Sequence, residues 1–202
     1  MSVVGLLLAA GQGRRMGGGK QLIPWPPPHG SGTLIGSAFD HLKIACDEMI
    51  VVLGHQQQQV EEALVPRVYV SVSADPTAEM SDSIKLGLVQ ALAAEACQCI
   101  VLQPADHPEV ASQTLRAIIK EAVQYQVAVT PRYQGRNGHP IAIPRKLAET
   151  IIDSEMLAGL SEWFRMNACS RKFIDVHDAA VIVDIDTMED IKEIIDSSNV
   201  SD

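Results

Sequence analysis

Short apolar runs alternate with amphipathic segments along the chain. The runs are rich in β-branched residues and predict strands at residues 3–8, 49–53, 68–72, 99–103, 127–130, 141–143 and 181–185. Between them, apolar positions three and four residues apart predict helices at residues 34–45, 57–64, 83–94, 112–124, 156–166 and 188–195. The first strands are almost continuously apolar, as in parallel sheets that helices cover on both faces. The pattern predicts an α/β fold, a three-layer αβα sandwich around a mostly parallel, Rossmann-like sheet of about seven strands.

Two segments show where elements begin and end. Thr187 and Asp190 have the spacing of a capping box, which predicts a junction between a strand and a helix at Asp186. Residues 23–32 contain four prolines and two glycines, so they predict an exposed connection rather than a helix or a central strand. No repeat or linker divides the chain, and residues 1–202 are expected to form one domain.

Composition and charge exclude several classes of function. Apolar residues make up 47% of the chain and charged residues 20%, and no apolar run reaches the roughly 18 residues that cross a bilayer, so a membrane role is not expected. The net charge of -9 makes nucleic acid a poor partner. Four scattered cysteines without a CxxC pair are typical of a protein of the reducing cytoplasm.

A glycine-rich, basic segment follows the first predicted strand. Residues 9–20 contain five glycines, two arginines and one lysine, a combination that can surround an anion with backbone N–H groups and positive charge. A Walker A loop would need glycine at Arg14 and a hydroxyl at Gln21, and a dinucleotide-binding loop would need a small residue at Met16. The segment therefore predicts a phosphate-binding loop of a third kind, with a glycine-rich surface turn as the alternative.

The stretch LAAGQGRRMGGGK closely resembles the LAAGxSxRMGxxK signature of the MobA-like NTP transferase superfamily. The resemblance implies that the loop wraps a nucleoside triphosphate and that Arg15 and Lys20 are its cationic, catalytic contacts. Gly13 stands where the family usually has serine. The residues that the resemblance places around the nucleotide are Leu8, Ala9, Ala10, Gly11, Gln12, Gly13, Arg15, Met16, Gly17, Lys20, Ser83 and Pro104.

Two aspartates are placed to hold a metal ion. Asp106, in LQPADHP, lies just past a predicted strand, at the edge where open α/β sheets bind ligands, and Asp186, in DIDTMEDI, follows another. Nucleotidyl transfer uses a divalent cation to neutralise charge on the α-phosphate and on pyrophosphate. Both segments resemble metal-binding segments of the family, which implies that Asp106 and Asp186 bind Mg²⁺ and that Asp106 is catalytic. Each aspartate alone could instead cap a helix.

Two further stretches resemble the substrate-binding parts of the family. SADPTAEMSDSIKLGL implies that Ser83 lies by the base or ribose, and a helix N-cap is the alternative for this serine. YQGRNGHPIAI resembles the GRxGHP segment of the molybdenum cofactor cytidylyltransferase branch, which implies that Arg136, Gly138 and His139 face the acceptor. A histidine that only stabilises the turn is the alternative for His139.

The resemblance extends from residue 8 to residue 194, with five motifs in family order. It implies a single nucleotidyltransferase domain that transfers CMP from CTP to the phosphate of molybdenum-carrying molybdopterin, with a molybdoenzyme as the recipient of the product. The open alternatives are GTP as donor, a sugar or alcohol phosphate as acceptor, and a non-catalytic cofactor carrier or chaperone. A dinucleotide-dependent oxidoreductase is disfavoured by Met16 and by the absence of an acidic residue after Leu53.

Overall fold

The computed structural model describes residues 2–11, 19–27, 30–75, 77, 79–156 and 159–199, the last four of these by backbone alone. Its strands are β1 Ser2–Ala9, β2 Pro24–Trp25, β3 Gly32–Thr33, β4 Glu48–Leu53, β5 Val70–Ser73, β6 Cys97–Pro104, β7 Ala128–Tyr133, β8 Arg136–Asn137, β9 Ile141–Pro144 and β10 Arg171–Asp175. Its helices are α1 Leu34–Lys43, α2 Gln57–Leu64, α3 Met80–Leu92, α4 Ser112–Tyr125, α5 Arg145–Asp153, α6 Gly159–Met166 and α7 Met188–Asn199. None of the helices in this part of the chain is long and apolar enough to cross a membrane.

The central sheet has the strand order β10-β7-β9-β6-β1-β4-β5, with β8 beside β7. Strand β9 runs antiparallel to its neighbours β6 and β7, whereas β1 is parallel to both β4 and β6. Leu8, near the end of β1, is level with Val52 on one side and Pro104 on the other. The predicted α/β class and mostly parallel sheet are therefore confirmed, and the carboxyl ends of β1, β4 and β6 form one continuous edge.

Helices cover both faces of the sheet. On one face, buried side chains of α1, α2 and α4, such as Ile35, Leu64 and Leu115, pack against the strands. On the other face, α3, α5 and α6 supply buried residues such as Leu88 and Phe164. This arrangement explains why β1 is apolar almost throughout: its residues alternate between two buried layers.

The strand predicted at residues 181–185 is wrong. Residues Ala179–Ile182 form a 3-10 helix, which begins where the Asp178 carboxylate accepts a hydrogen bond from the N–H of Ala180 at 3.1 Å. Within the predicted strand only Val181 and Ile185 are fully buried, while Val183 and Asp184 are exposed, so the burial lacks the alternation of a sheet strand. The edge position belongs instead to β10, which pairs in parallel with β7.

Helix α5 was not predicted, although its sequence carried a signal. Its buried residues Ala148 and Ile151 have helical spacing, but the segment is short and follows a proline directly. The helix predicted at residues 156–166 begins at Gly159, and the one predicted at residues 83–94 begins earlier, at Met80.

Candidate active site

Lys20 joins the two predicted metal-binding aspartates at the carboxyl edge of the sheet. Its Nζ donates a hydrogen bond to Asp106 Oδ2 at 2.8 Å and another to Asp186 Oδ1 at 2.5 Å. The lysine side chain is only 11% exposed, whereas Asp106 and Asp186 are 24% and 40% exposed. Three residues that lie 86 and 166 positions apart in sequence thus form one charged cluster, open to solvent on the carboxylate side.

The carboxylates keep Lys20 charged in spite of its burial. Burial by itself would lower the pKa of the ammonium, but the hydrogen bonds and charges of Asp106 and Asp186 outweigh it and raise the pKa of Lys20 above its usual range. The cluster therefore presents a permanent positive charge beside two carboxylates, at the end of the glycine-rich segment.

Two glutamines that were not predicted from the sequence to belong to the site hold both ends of that segment. Gln21 Nε2 donates to the carbonyl oxygens of Ala9 at 3.2 Å and Gly11 at 3.0 Å. At the other end, Gly19 has φ 73°, a conformation suited to glycine, and its N–H donates to Gln56 Oε1 at 3.0 Å. Lys20 begins a 3-10 helix immediately afterwards. The backbone around Lys20 is thus tied to the end of β1 and to Gln56, the residue before α2.

Part of the predicted nucleotide loop lies outside the described residues. This applies to Gln12, Gly13, Arg15, Met16 and Gly17. Leu8, Ala9, Ala10 and Gly11 form the end of β1 and its exit, and Pro104 lies level with Leu8 at the end of β6. The described residues at the two ends of the loop therefore lie beside the cluster of Lys20, Asp106 and Asp186, which is called the Lys20 cluster below.

Asp186 is held by the start of the last helix. The Asp190 carboxylate accepts hydrogen bonds from the N–H groups of Asp186 at 2.8 Å and Thr187 at 2.6 Å. In return the Thr187 hydroxyl accepts from the N–H of Asp190 at 3.2 Å, which confirms the predicted capping box. One residue earlier, the N–H of Ile185 donates to the carbonyl of Asp106 at 3.1 Å. This backbone contact ties the two aspartates together without a strand.

A small apolar cluster supports this junction. Trp25, from the proline-rich connection, packs with Leu34, Ile185 and Ile191. The indole Nε1 of Trp25 also donates to Glu109 Oε1 at 2.8 Å. The proline-rich connection, expected to be exposed throughout, therefore buries its tryptophan and holds α7 against the edge of the sheet.

The carboxylates of Asp106 and Asp186 suit a hard divalent cation whose remaining ligands come from the substrate. Asp106 Oδ1 is buried and accepts no hydrogen bond in the described structure, so one oxygen remains for a ligand. The Lys20 ammonium lies between the two carboxylates and stands in for a cation there. No group of three or more potential protein ligands occurs among the described residues, and Mg²⁺ is commonly bound by one or two carboxylates together with phosphate oxygens and water.

The predicted acceptor residues differ in burial. Gly138 and His139 lie against the 3-10 helix Ala179–Ile182, where the N–H of His139 donates to the carbonyl of Val181 at 2.8 Å. The His139 ring lies 5.0 Å from that of His107, the neighbour of Asp106. Burial, followed by the charge of His107, lowers the pKa of His139 to about 4, so this ring is neutral at pH 7. Arg136 is exposed in β8.

Ser83 is buried in the first turns of α3. The N-cap of this helix is Glu79, whose side chain and that of Asp82 form a reciprocal capping box. The alternative that Ser83 caps the helix is therefore wrong, and its contact with nucleotide remains a prediction.

Gly138→Ala is expected to lower the free energy of unfolding by about 2 to 4 kcal/mol. An added Cβ would lie 2.2 Å from the carbonyl oxygen of Val181, and backbone cannot move aside easily. Gly135→Ala is the control, because open space surrounds that Cβ and only the positive φ of 79° costs about 1 kcal/mol. Urea unfolding of both variants measures the difference, and equal losses would show that the approach to Val181 is not tight.

Comparison with curated proteins returns three related sequences. The molybdenum cofactor cytidylyltransferase of Escherichia coli (strain K12) is 22% identical over 185 residues, covering 92% of this chain and 91% of the relative. A probable molybdenum cofactor guanylyltransferase of Rhodopirellula baltica is 28% identical over 58% of this chain and 54% of its own. Nicotine blue oxidoreductase of Paenarthrobacter nicotinovorans is 27% identical over 96% of both chains.

Solved structures share the whole fold. Rv0371c from Mycobacterium tuberculosis H37Rv superposes with a TM-score of 0.83 at 26% identity, covering 97% of this chain and 99% of the other. A second structure of that protein, in complex with manganese, has a TM-score of 0.75 at 25% identity and covers 98% of this chain and all of the other.

A family model extends the resemblance of the glycine-rich segment to most of the chain. The model of the MobA-like NTP transferase domain matches residues 5–172, from the first strand to the start of β10. The match includes Lys20 and Asp106, while Asp186 follows its end. This protein therefore belongs to the MobA-like NTP transferase family.

Proposed function

We propose that this nucleotidyltransferase moves CMP from CTP to the phosphate of molybdenum-carrying molybdopterin and releases pyrophosphate, with Mg²⁺ bound at Asp106 and Asp186. The observation that carries the proposal is the convergence of both aspartates on Lys20, directly beside the glycine-rich segment. A site of this kind offers a cation for phosphate and oxygen ligands for a metal in one place.

The positively and negatively charged side chains of the site have separate roles. Lys20 supplies an ammonium for the triphosphate, and the hydrogen bonds of Gln21 and Gln56 fix the backbone on both sides of this lysine. Asp106 and Asp186 supply the carboxylate oxygens for the metal. When bound, a divalent cation would neutralise charge that gathers on the α-phosphate and the leaving pyrophosphate. The acceptor phosphate oxygen forms the new bond to the α-phosphorus as the α–β phosphoanhydride bond breaks.

The relatives give mixed support for CTP as the donor and support a divalent metal ion. The relative that covers most of both chains in the molybdenum group is named a cytidylyltransferase, which favours CTP, whereas the shorter match is named a probable guanylyltransferase and keeps GTP as an alternative. The manganese complex of the Mycobacterium tuberculosis protein supports a divalent metal.

An oxidoreductase is the second candidate, because one relative of that name matches 96% of the chain. The positions that a dinucleotide-binding loop requires speak against it: Met16 replaces the small residue, and Gly54 and His55 follow β4 in place of an acidic residue. Lys20, Asp106 and Asp186 together also suit the binding of a triphosphate, whereas hydride transfer requires no such group of residues.

The proposal is tested by pyrophosphate release. Wild-type protein is supplied with Mg²⁺ and molybdenum-loaded molybdopterin and given CTP, GTP, ATP or UTP in parallel, and CTP is expected to react fastest. Preference for GTP would retain the mechanism and change the donor. The absence of release with all four nucleotides would overturn the proposed function, and oxidation of NADH or NADPH under the same conditions would replace it with the oxidoreductase.

A further inference from the structure

The buried Trp25 contacts both of the segments that carry the two aspartates of the site. Its indole Nε1 donates to Glu109 Oε1 at 2.8 Å, and Glu109 lies in the segment that follows β6 and contains Asp106. Its ring packs with Ile185, the residue immediately before Asp186. Trp25 therefore connects the Asp106 segment with the Asp186 segment.

The apolar cluster around Trp25 is separate from the two buried layers that cover the faces of the sheet. Its buried members, called the Trp25 cluster below, are Trp25, Leu34, Ile185 and Ile191. Among residues 188–195 of α7, Ile191 alone is fully buried, and Ile194 and Ile195 pack against the same cluster. These turns of α7 thus make their apolar contact with the rest of the molecule at the Trp25 cluster.

The stretch of chain that carries Trp25 also carries Lys20. Lys20 contacts the carboxylate of Asp186, and Trp25 packs against the neighbouring Ile185. A bound triphosphate would attract the ammonium and a bound metal ion would attract the carboxylate, so both compete with the salt bridge. The packing of Trp25 is apolar, and a charged ligand does not compete for it. When substrate and metal are bound, Trp25 is therefore the contact that still holds the Asp186 segment.

We infer that Trp25 is a positioning residue that sets the separation between Asp106 and Asp186 and thereby the affinity of the site for a divalent cation. This inference rests on the proposed function, because it assigns both aspartates to one metal ion. Without the indole ring, the segment that carries Asp186 can move relative to the segment after β6. The fraction of molecules with both carboxylates in place then falls, and the apparent affinity for the ion falls with it.

Calorimetric titration of the nucleotide-free protein with Mn²⁺ tests the inference. Trp25→Leu is expected to weaken Mn²⁺ binding about tenfold, because a tenfold smaller competent fraction lowers the apparent affinity by the same factor. Trp25→Phe retains a ring but loses the donor to Glu109, and it is expected to weaken binding about threefold.

Trp163→Leu is the matched control. Trp163 is buried to a similar degree, 7% exposed against 5% for Trp25, but it packs in the layer that α3, α5 and α6 form on one face of the sheet. Its replacement is expected to lower the thermal stability of the protein and to leave the Mn²⁺ affinity within about twofold of the wild type. A general loss of stability would instead affect the two variants alike.

The metal dependence of turnover gives a second readout. In Trp25→Leu the Mg²⁺ concentration for half-maximal pyrophosphate release is expected to rise about tenfold, while kcat at saturating Mg²⁺ stays within about threefold of the wild type. Asp186→Asn is expected to remain slow at every Mg²⁺ concentration, because it lacks the ligand itself.

Tryptophan fluorescence gives a third readout, independent of turnover. The chain has two tryptophans, so Trp163→Phe leaves Trp25 as the single one. Saturating Mg²⁺ is expected to lower the acrylamide quenching of Trp25 about twofold, because an ion that requires both aspartates in place must in turn stabilise the contact of Trp25. Adding Asp186→Asn is expected to abolish this protection.

Mn²⁺ affinity within twofold of the wild type in folded Trp25→Leu, or an equal loss in Trp163→Leu, would overturn the inference. So would the absence of Mn²⁺ binding by the wild type, or Mn²⁺ binding that Asp186→Asn leaves unchanged. If Trp25→Leu does not fold, judged by thermal unfolding, Trp25→Phe is compared with Trp163→Phe instead. If none of the four nucleotides released pyrophosphate while Mn²⁺ affinity still depended on Trp25, the proposed function alone would be overturned.

Discussion

Asp106→Asn is expected to lower the kcat of nucleotidyl transfer by about a thousandfold or more and to leave the fold intact. The carboxylate contributes one oxygen to the contact with Lys20 and a second, buried oxygen that has no hydrogen bond among the described residues. An amide keeps the shape but removes the negative charge that a divalent cation requires. Pyrophosphate release at saturating substrates measures the effect.

A matched control separates the role of this carboxylate from a general change in charge. Asp153→Asn removes an exposed carboxylate at the end of α5, which has no hydrogen bond or ion pair among the described residues, and is expected to retain wild-type turnover. Thermal unfolding of both variants shows whether the fold survives. If Asp106→Asn retained turnover within tenfold of the wild type, the metal-binding role of Asp106 would be wrong.

Lys20→Met is expected to weaken nucleotide binding about a hundredfold and, at the same time, to tighten Mn²⁺ binding by the nucleotide-free protein. The first effect follows from the loss of a charged contact to the triphosphate. The second follows because the ammonium occupies the space between Asp106 and Asp186 and competes with a metal ion for the same oxygens. Calorimetry with CTP and with MnCl₂ measures both.

Nucleotide binding is expected to weaken while Mn²⁺ binding tightens, and these opposite effects make the prediction specific. A variant that merely loosened the site would weaken both ligands together, and such a result would show that Lys20 does not compete with a metal. Lys172→Met is the control, because Lys172 also pairs with a carboxylate, Glu121 of α4, at 2.6 Å, but lies on the edge strand β10, which three strands separate from β1. It is expected to change neither affinity.

Local patterns predicted much of the scaffold for a physical reason. Helix α2 was predicted with its observed bounds, and β1, β4 and β6 were predicted to within two residues, because burial in two layers makes strands apolar throughout and helices amphipathic. At residues 181–185 the apolar pattern did not predict the structure, because this run lies across the ends of the strands and is buried at only two residues. Composition cannot distinguish a strand within a sheet from a segment packed across its edge.

The individual segments of the site were predicted from the sequence, whereas their arrangement in space is known only from the fold. The sequence by itself determined the glycine-rich segment, the two aspartates and the capping box, because backbone conformation, charge and capping depend on residue type at short spacing. The tertiary structure decided that Lys20 lies between Asp106 and Asp186 and that His139 is neutral. These features depend on distances and burial between residues far apart in the chain, which no local pattern contains.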